Sequence, residues 1–139
     1  MAETKKMAIV VHSGTLDLAY PPLMLAAAAG ASDIEVDIFF TFWGLNLLKK
    51  KGLKRAKLGG AWRLGTGMMR YMIKRTGMAT LPDLLEAVME TGKVRLWACT
   101  ATMDIMLVKK EQLIDGLEGY MGAAVFLDIA ADCDIQLFI

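Results

Sequence analysis

The chain has 139 residues, 55% of them apolar, a net charge of +1, two cysteines and one histidine, with a mean hydropathy of +0.42. No run of about 18 to 20 uninterrupted apolar residues occurs, so a transmembrane helix is not expected. Two cysteines exclude a disulfide framework, and without CxxC or Cys/His spacing the ligands of a structural zinc site are missing.

This length fits one domain, 1–139, with a sizeable core. Lys6 to His12, KMAIVVH, is a compact β-rich run and reads as the first strand. Ser13-Gly14-Thr15 follows as a turn, with Ser13 or Thr15 as a helix cap. Leu16 to Ala29 is helical in composition. Pro21 and Pro22 are expected to break or restart that helix, and Gly30 to end it. Glu35 to Phe42 is the second strand. Its aromatic end, Phe39 to Leu45, reads as core or subunit interface, with ligand stacking as the sharper alternative.

Gly44 to Lys51 reads as a short helix or turn. Gly52 to Gly67 holds five glycines and reads as a long irregular loop, a kind that is usually functional or mobile. Met68 to Lys74 is a basic amphipathic helix. Its methionines suit adaptable packing, or else a lid or docking surface. Thr80 to Gly92 carries the clearest helix signals: Thr80 as cap, Pro82 and Asp83 in the first turn, Gly92 as stop.

Lys93 to Ala98 is the third strand, and Cys99 follows it. Thr102 to Val108 and Lys109 to Asp115 read as short helical pieces, Gly119 to Ala131 as a helix, and Asp134 to Ile139 as the last strand. Strands alternate with helices. A parallel sheet covered on both faces, a three-layer α/β/α domain, is the expected architecture.

Charge is unevenly placed. Between Asp37 and Asp83 there is no acidic residue, and ten of the sixteen basic residues lie there, from Lys49 to Arg75. This segment reads as a solvated face, as a dock for an acidic partner, or as a means of steering an anionic species. Nucleic acid is not an expected partner, because Trp62 and Tyr71 are the only aromatics inside the run. The start, MAETKKMAIVVHSG, is too short in its apolar part for a signal peptide, so a cytoplasmic location is expected. Apolar excess without a span points to surface buried between subunits.

Cys99 is the centre of the chemical reading. Parallel α/β sheets place reactive groups at the carboxyl ends of strands, facing the next helix. If Thr100 to Thr102 open that helix, their N–H groups can favour a thiolate or a bound anion. The bland alternative is a small buried residue. Cys133 precedes the last strand, at the opposite end of the sheet, so no bond to Cys99 is expected and a structural role is assigned. His12, Ser13 and Gly14 lie at the same end as Cys99. His12 is a candidate to orient a substrate or pair with the thiolate, or else a satisfied structural residue. Ser13-Gly14-Thr15 can offer N–H groups to an anion, but it is neither GxGxxG nor a Walker motif.

Several stretches carry a family resemblance: FFTFWGLNLLKK at Phe39 to Lys50, MMRYMIK, LPDLLEAVMETGKVRLWAC ending at Cys99, TMDIM after it, and the closing IQLFI. Together the chain resembles the DsrE/DsrF-like superfamily, specifically its stand-alone DsrE-type members. The resemblance implies a mainly parallel five-stranded sheet, a homo-oligomer (trimer, tetramer or hexamer) and a sulfur carrier. No cofactor is expected. By position Cys99 would hold sulfane sulfur, as a persulfide or as a thiosulfonate. TusA-like or rhodanese-like proteins would receive it. His12, Ser13, Gly14, Thr100 and Thr102 are the candidate substrate-binding residues around it. Met103 to Val108 lacks the second cysteine that some relatives carry, and Leu107 stands where many have glycine. A single-thiol carrier is what remains, with a non-catalytic assembly module as the alternative.

Overall fold

The structure, a computed structural model, describes residues 3–139. Five strands form one sheet: β1 (Lys6–Val11), β2 (Glu35–Phe40), β3 (Val94–Cys99), β4 (Gly119–Met121) and β5 (Ile135–Phe138). Their spatial order is β4-β3-β2-β1-β5, and every neighbouring pair is parallel. Among the described residues six α-helices accompany the sheet: α1 (Leu16–Ala31), α2 (Gly52–Arg55), α3 (Thr66–Arg75), α4 (Leu81–Glu90), α5 (Thr100–Ile105) and α6 (Ala123–Ala131). Among the described residues no helix is long and apolar enough to cross a membrane.

Strand order explains the layering. From β1 to β4 the chain steps in one direction across the sheet, so right-handed crossovers keep their helices on one face. There Ile9, Ile38 and Leu96 meet α1 and α4 in the main core. Burying each such side chain contributes about 1.5 to 3 kcal/mol. The step from β4 to β5 runs the other way, and α6 lies on the opposite face, where Phe126 stacks on Phe39. The third layer is therefore a single nine-residue helix.

Several expectations need correction. α1 runs unbroken through Pro21 and Pro22. Packing of Ala19, Leu23 and Ala26 into the core outweighs the backbone bonds the prolines forfeit. Gly30 lies inside the helix and does not end it. A Cβ there would stand 2.8 Å from the Thr91 hydroxyl, so glycine serves the close approach of α1 to the end of α4. Gly119 to Met121 is an edge strand, and the helix begins only at Ala123. Three residues are too few to show a strand period, and their small neighbours mimic a helix. Lys109 to Asp115 keeps only a short 3-10 turn at Lys110–Gln112.

The 52–67 stretch is more ordered than a loop. α2 and a 3-10 turn at Gly60–Gly65 occupy most of it. Arg70 ties it from α3, donating to the carbonyls of Lys54 at 2.8 Å and Ala56 at 2.6 Å. The Thr66 hydroxyl donates to the Arg63 carbonyl at 2.7 Å and accepts from the Leu58 N–H at 3.1 Å. α4 matches its sequence signals: the Thr80 side chain accepts from the Asp83 N–H.

Leu107, just after α5, is held at φ +53° with its side chain exposed. A branched side chain in the left-handed region costs about 1 kcal/mol or more relative to glycine. Leu107→Gly is expected to raise stability by about 0.5 to 1 kcal/mol, read as a higher urea midpoint. An unchanged or lower midpoint contradicts the strain.

Candidate functional site

Cys99 is the last residue of β3 and the N-cap of α5, with φ −74° and ψ 117°. It faces the α6 side, beside Phe39, Met121 and Phe126, and is only 4% exposed. Around the sulfur stand two threonines from different elements. Thr102 is buried on α5, and Thr41 follows β2; their hydroxyl oxygens are 3.1 Å apart. The Phe42 N–H donates to the Thr102 hydroxyl oxygen at 2.9 Å, which fixes that hydroxyl's orientation.

Burial pushes the Cys99 thiol up, but hydrogen bonding outweighs it. Donors are the Thr102 hydroxyl and N–H, the Thr41 hydroxyl and the Ala101 N–H, and the pKa falls below the ordinary thiol value. None of these is a tight cap bond to the neutral thiol. They act through charge and strengthen as the proton leaves. Thr41 was not among the residues expected at the site. Its partners lie 58 and 61 positions away, and only the pairing of β2 with β3 brings them together.

Cys133 differs in every respect. Its Sγ–H donates to the Ile129 carbonyl at 3.3 Å, and burial and the nearby Asp37 carboxylate push its pKa up. Both thiols are free. A thiol that resists ionisation is a poor nucleophile.

The other expected site residues divide. Thr100 begins α5 directly after Cys99. His12 ends up elsewhere: its Nδ1 lies 2.9 Å from the Ile139 carbonyl, and its ring stacks on Phe138 at 4.8 Å. With β2 between β1 and β3, His12 stands about two strand spacings, roughly 10 Å, from the Cys99 strand.

Ser13 and Gly14 line a second feature, an open cavity of about 1400 Å³. Lys49, Lys50, Lys51, Lys54, Arg55, Lys57, Arg63 and Arg70 also line it, and no acidic residue does. A Cβ on Gly14 would collide with the Trp43 carbonyl oxygen, so glycine lets the β1 loop lie against the β2 loop at the cavity wall. Trp43 is 66% exposed and Phe42 also protrudes, whereas Phe39 and Phe40 are buried. The aromatic run thus serves the core at its start and forms surface at its end.

On the α6 side, further along β2 and β3, the sheet carries one buried charge. Asp37 is 2% exposed. It accepts from Arg95 Nε at 2.8 Å, Arg95 Nη2 at 2.7 Å and Trp97 Nε1 at 2.8 Å.

A sequence model of the DsrE/DsrF/DrsH-like family matches residues 3–62 and 60–138. The chain belongs to the DsrE/DsrF/DrsH-like family. It is 39% identical over 160 aligned positions to "Sulfur carrier protein DsrE2" of Allochromatium vinosum, covering 99% of each chain. It is 35% identical to the uncharacterized protein YrkE of Bacillus subtilis, covering 99% of this chain and 98% of that one. Two solved structures share the fold. The ychN protein of E. coli has a TM-score of 0.57 at 14% identity, over 98% of this chain and all of the other. MTH1491 of Methanobacterium thermoautotrophicum, a protein of unknown function, has a TM-score of 0.56 at 10% identity over the same shares. These two likenesses concern architecture alone. Within the family match, the two stretches overlap at residues 60–62, where Gly60 lines the basic cavity.

Proposed function

We propose that this protein is a cytoplasmic sulfur carrier that holds sulfane sulfur on Cys99 and passes it to a partner thiol. The observation that carries the reading is the hydroxyl and N–H cradle from Thr41, Ala101 and Thr102 around a strand-end thiol. Kinship with a relative named as a sulfur carrier supports it.

The chemistry needs one ionised sulfur and a donor with a leaving group. The Cys99 thiolate attacks the sulfane sulfur of thiosulfate. A Cys99 S–S bond forms, the donor S–S bond breaks, and sulfite leaves with the electron pair. With tetrathionate the same attack leaves a thiosulfonate on Cys99 and releases thiosulfate. An incoming partner thiolate, of a TusA-like or rhodanese-like protein, then attacks the outer sulfur of the persulfide. Its own persulfide forms and Cys99 departs as thiolate, which the threonine hydroxyls and N–H groups receive. A thiolate stabilised in this way is also the better leaving group.

Intact mass after incubation with thiosulfate, tetrathionate or polysulfide tests the reading. Wild type is expected to gain a sulfur-sized or thiosulfonate-sized adduct, and Cys99→Ser to gain none. Equal gain in both, or none in wild type, overturns it.

A second reading is favoured by the 4% exposure of Cys99: a non-catalytic assembly module with an unreactive thiol. Resistance of Cys99 to thiol reagents in the native protein would select it. Under either reading the chain is expected to form a homo-oligomer, because Val125, Leu127 and Phe138 leave apolar surface open on α6 and β5.

A further inference from the structure

We propose that the basic cavity seats an extended acidic peptide segment of a partner protein, docking that partner at the carboxyl edge of the sheet. The eight cations of its wall have no acidic neighbour in the lining. Among the described residues the one salt bridge is Arg95–Asp37, and none of these eight takes part in it. Uncompensated like charges at this density repel one another, and a polyanion relieves that repulsion.

Size and chemistry point to a peptide. About 1400 Å³ exceeds the roughly 300 to 1000 Å³ that small ligands occupy. Trp43 is the one aromatic in the lining, so successive nucleobases would find no stacking platform. Carboxylates along an extended chain match a spread of flexible lysines better than a compact anion does. The wall is pre-formed, since Arg70 and Thr66 hold the 54–66 backbone in place.

The cavity and the Cys99 cradle share the loop after β2. Trp43 lines it, and the neighbouring Phe42 N–H holds the Thr102 hydroxyl of the Cys99 cradle. A partner seated here would have its adjoining residues over the strand ends. Docking itself does not require Cys99 to carry sulfur; only its place in transfer rests on that reading.

The test is a titration of the isotope-labelled full chain with a glutamate-rich dodecapeptide at physiological salt, followed by amide chemical shifts. Saturable shifts are expected at Ser13 to Thr15, Lys49 to Lys57 and Gly59-Gly60. Charge reversal at exposed positions, as Lys50→Glu, Lys54→Glu and Lys57→Glu combined, is expected to weaken binding about tenfold or more. Its circular dichroism should match wild type. Cys99→Ser is expected to bind as wild type does, which separates docking from sulfur loading. Non-saturable shifts, shifts away from the cavity, or equal binding by the reversed variant overturn the proposal. So does tighter binding of an oligothymidylate of equal charge, or cavity shifts that vanish on dilution of the chain alone, which would make a second copy the occupant.

Discussion

Thr102→Val is expected to slow alkylation of Cys99 at pH 7 about fivefold to tenfold and to move its rate profile toward higher pH. Valine keeps the volume of threonine and removes the hydroxyl that donates to the sulfur and accepts from the Phe42 N–H. A hydrogen bond to a charged acceptor is worth about 1.5 to 3 kcal/mol, and about 1.4 kcal/mol is tenfold in an equilibrium. The rate falls less than the thiolate fraction does, because a more basic thiolate is a stronger nucleophile. Thr41→Val removes one of the smaller contributions and is expected to shift the profile in the same direction by less. Iodoacetamide kinetics across pH, with Cys99→Ser as blank, make the measurement. An unchanged profile in Thr102→Val would mean that the threonine only packs.

The same thiol links stability to pH. Its folded pKa lies below the ordinary thiol value expected when unfolded. The unfolded chain therefore binds more protons in the interval between the two values, and stability rises with pH there. The contribution is complete above the unfolded value and is lost as pH falls through the folded value. Thr102→Val should flatten that rise, and urea midpoints on either side of the interval would reveal it.

Arg95→Met is expected to cost about 3 kcal/mol of stability, a large share of the roughly 5 to 15 kcal/mol a domain possesses. Asp37 is buried in the middle of β2, directly beside Arg95 in the β2–β3 register. Removing the guanidinium withdraws two charged bonds and leaves the carboxylate with only the indole N–H of Trp97. Adding Asp37→Leu should recover most of the loss, since a buried pair replaced by apolar side chains is often neutral. Denaturant melts of the two variants decide it. A loss below about 1 kcal/mol in Arg95→Met would mean that water reaches Asp37, because Arg95 is 44% exposed.

Much of this was legible in the sequence, for identifiable reasons. The Val94 to Cys99 strand is bounded by Gly92 before it and the threonines after it, so the place of the thiol could be read directly. Thr80, Pro82 and Asp83 are local signals, and α4 starts where they require. Local signals misled where packing decided. Two prolines in α1 read as a break, and a three-residue strand read as helix. The cradle was half legible. Thr102 follows Cys99 closely in the chain, whereas Thr41 reaches it through strand pairing. The basic run was visible as a charge imbalance. Only the fold joins it to Ser13 and Gly14 as one concave wall.

The pairing of β1 with β5 has a consequence for biosynthesis. Met7 lies beside Ile135, the Lys6 N–H donates to Asp134, and the His12 N–H donates to the Ile139 carbonyl at 3.0 Å. β1 waits for a strand made roughly 120 residues later. At about 5 to 20 residues per second, one edge of β1 stays unpaired for several seconds while the intervening chain is made. During that time the nascent protein presents an open hydrogen-bonding edge to its surroundings, including other copies on the same messenger. Closure then joins distant segments, a step whose loop entropy makes it slow. In a ribosome-stalled series carrying a C-terminal linker, protease resistance should arise abruptly once residues 135–138 clear the exit tunnel.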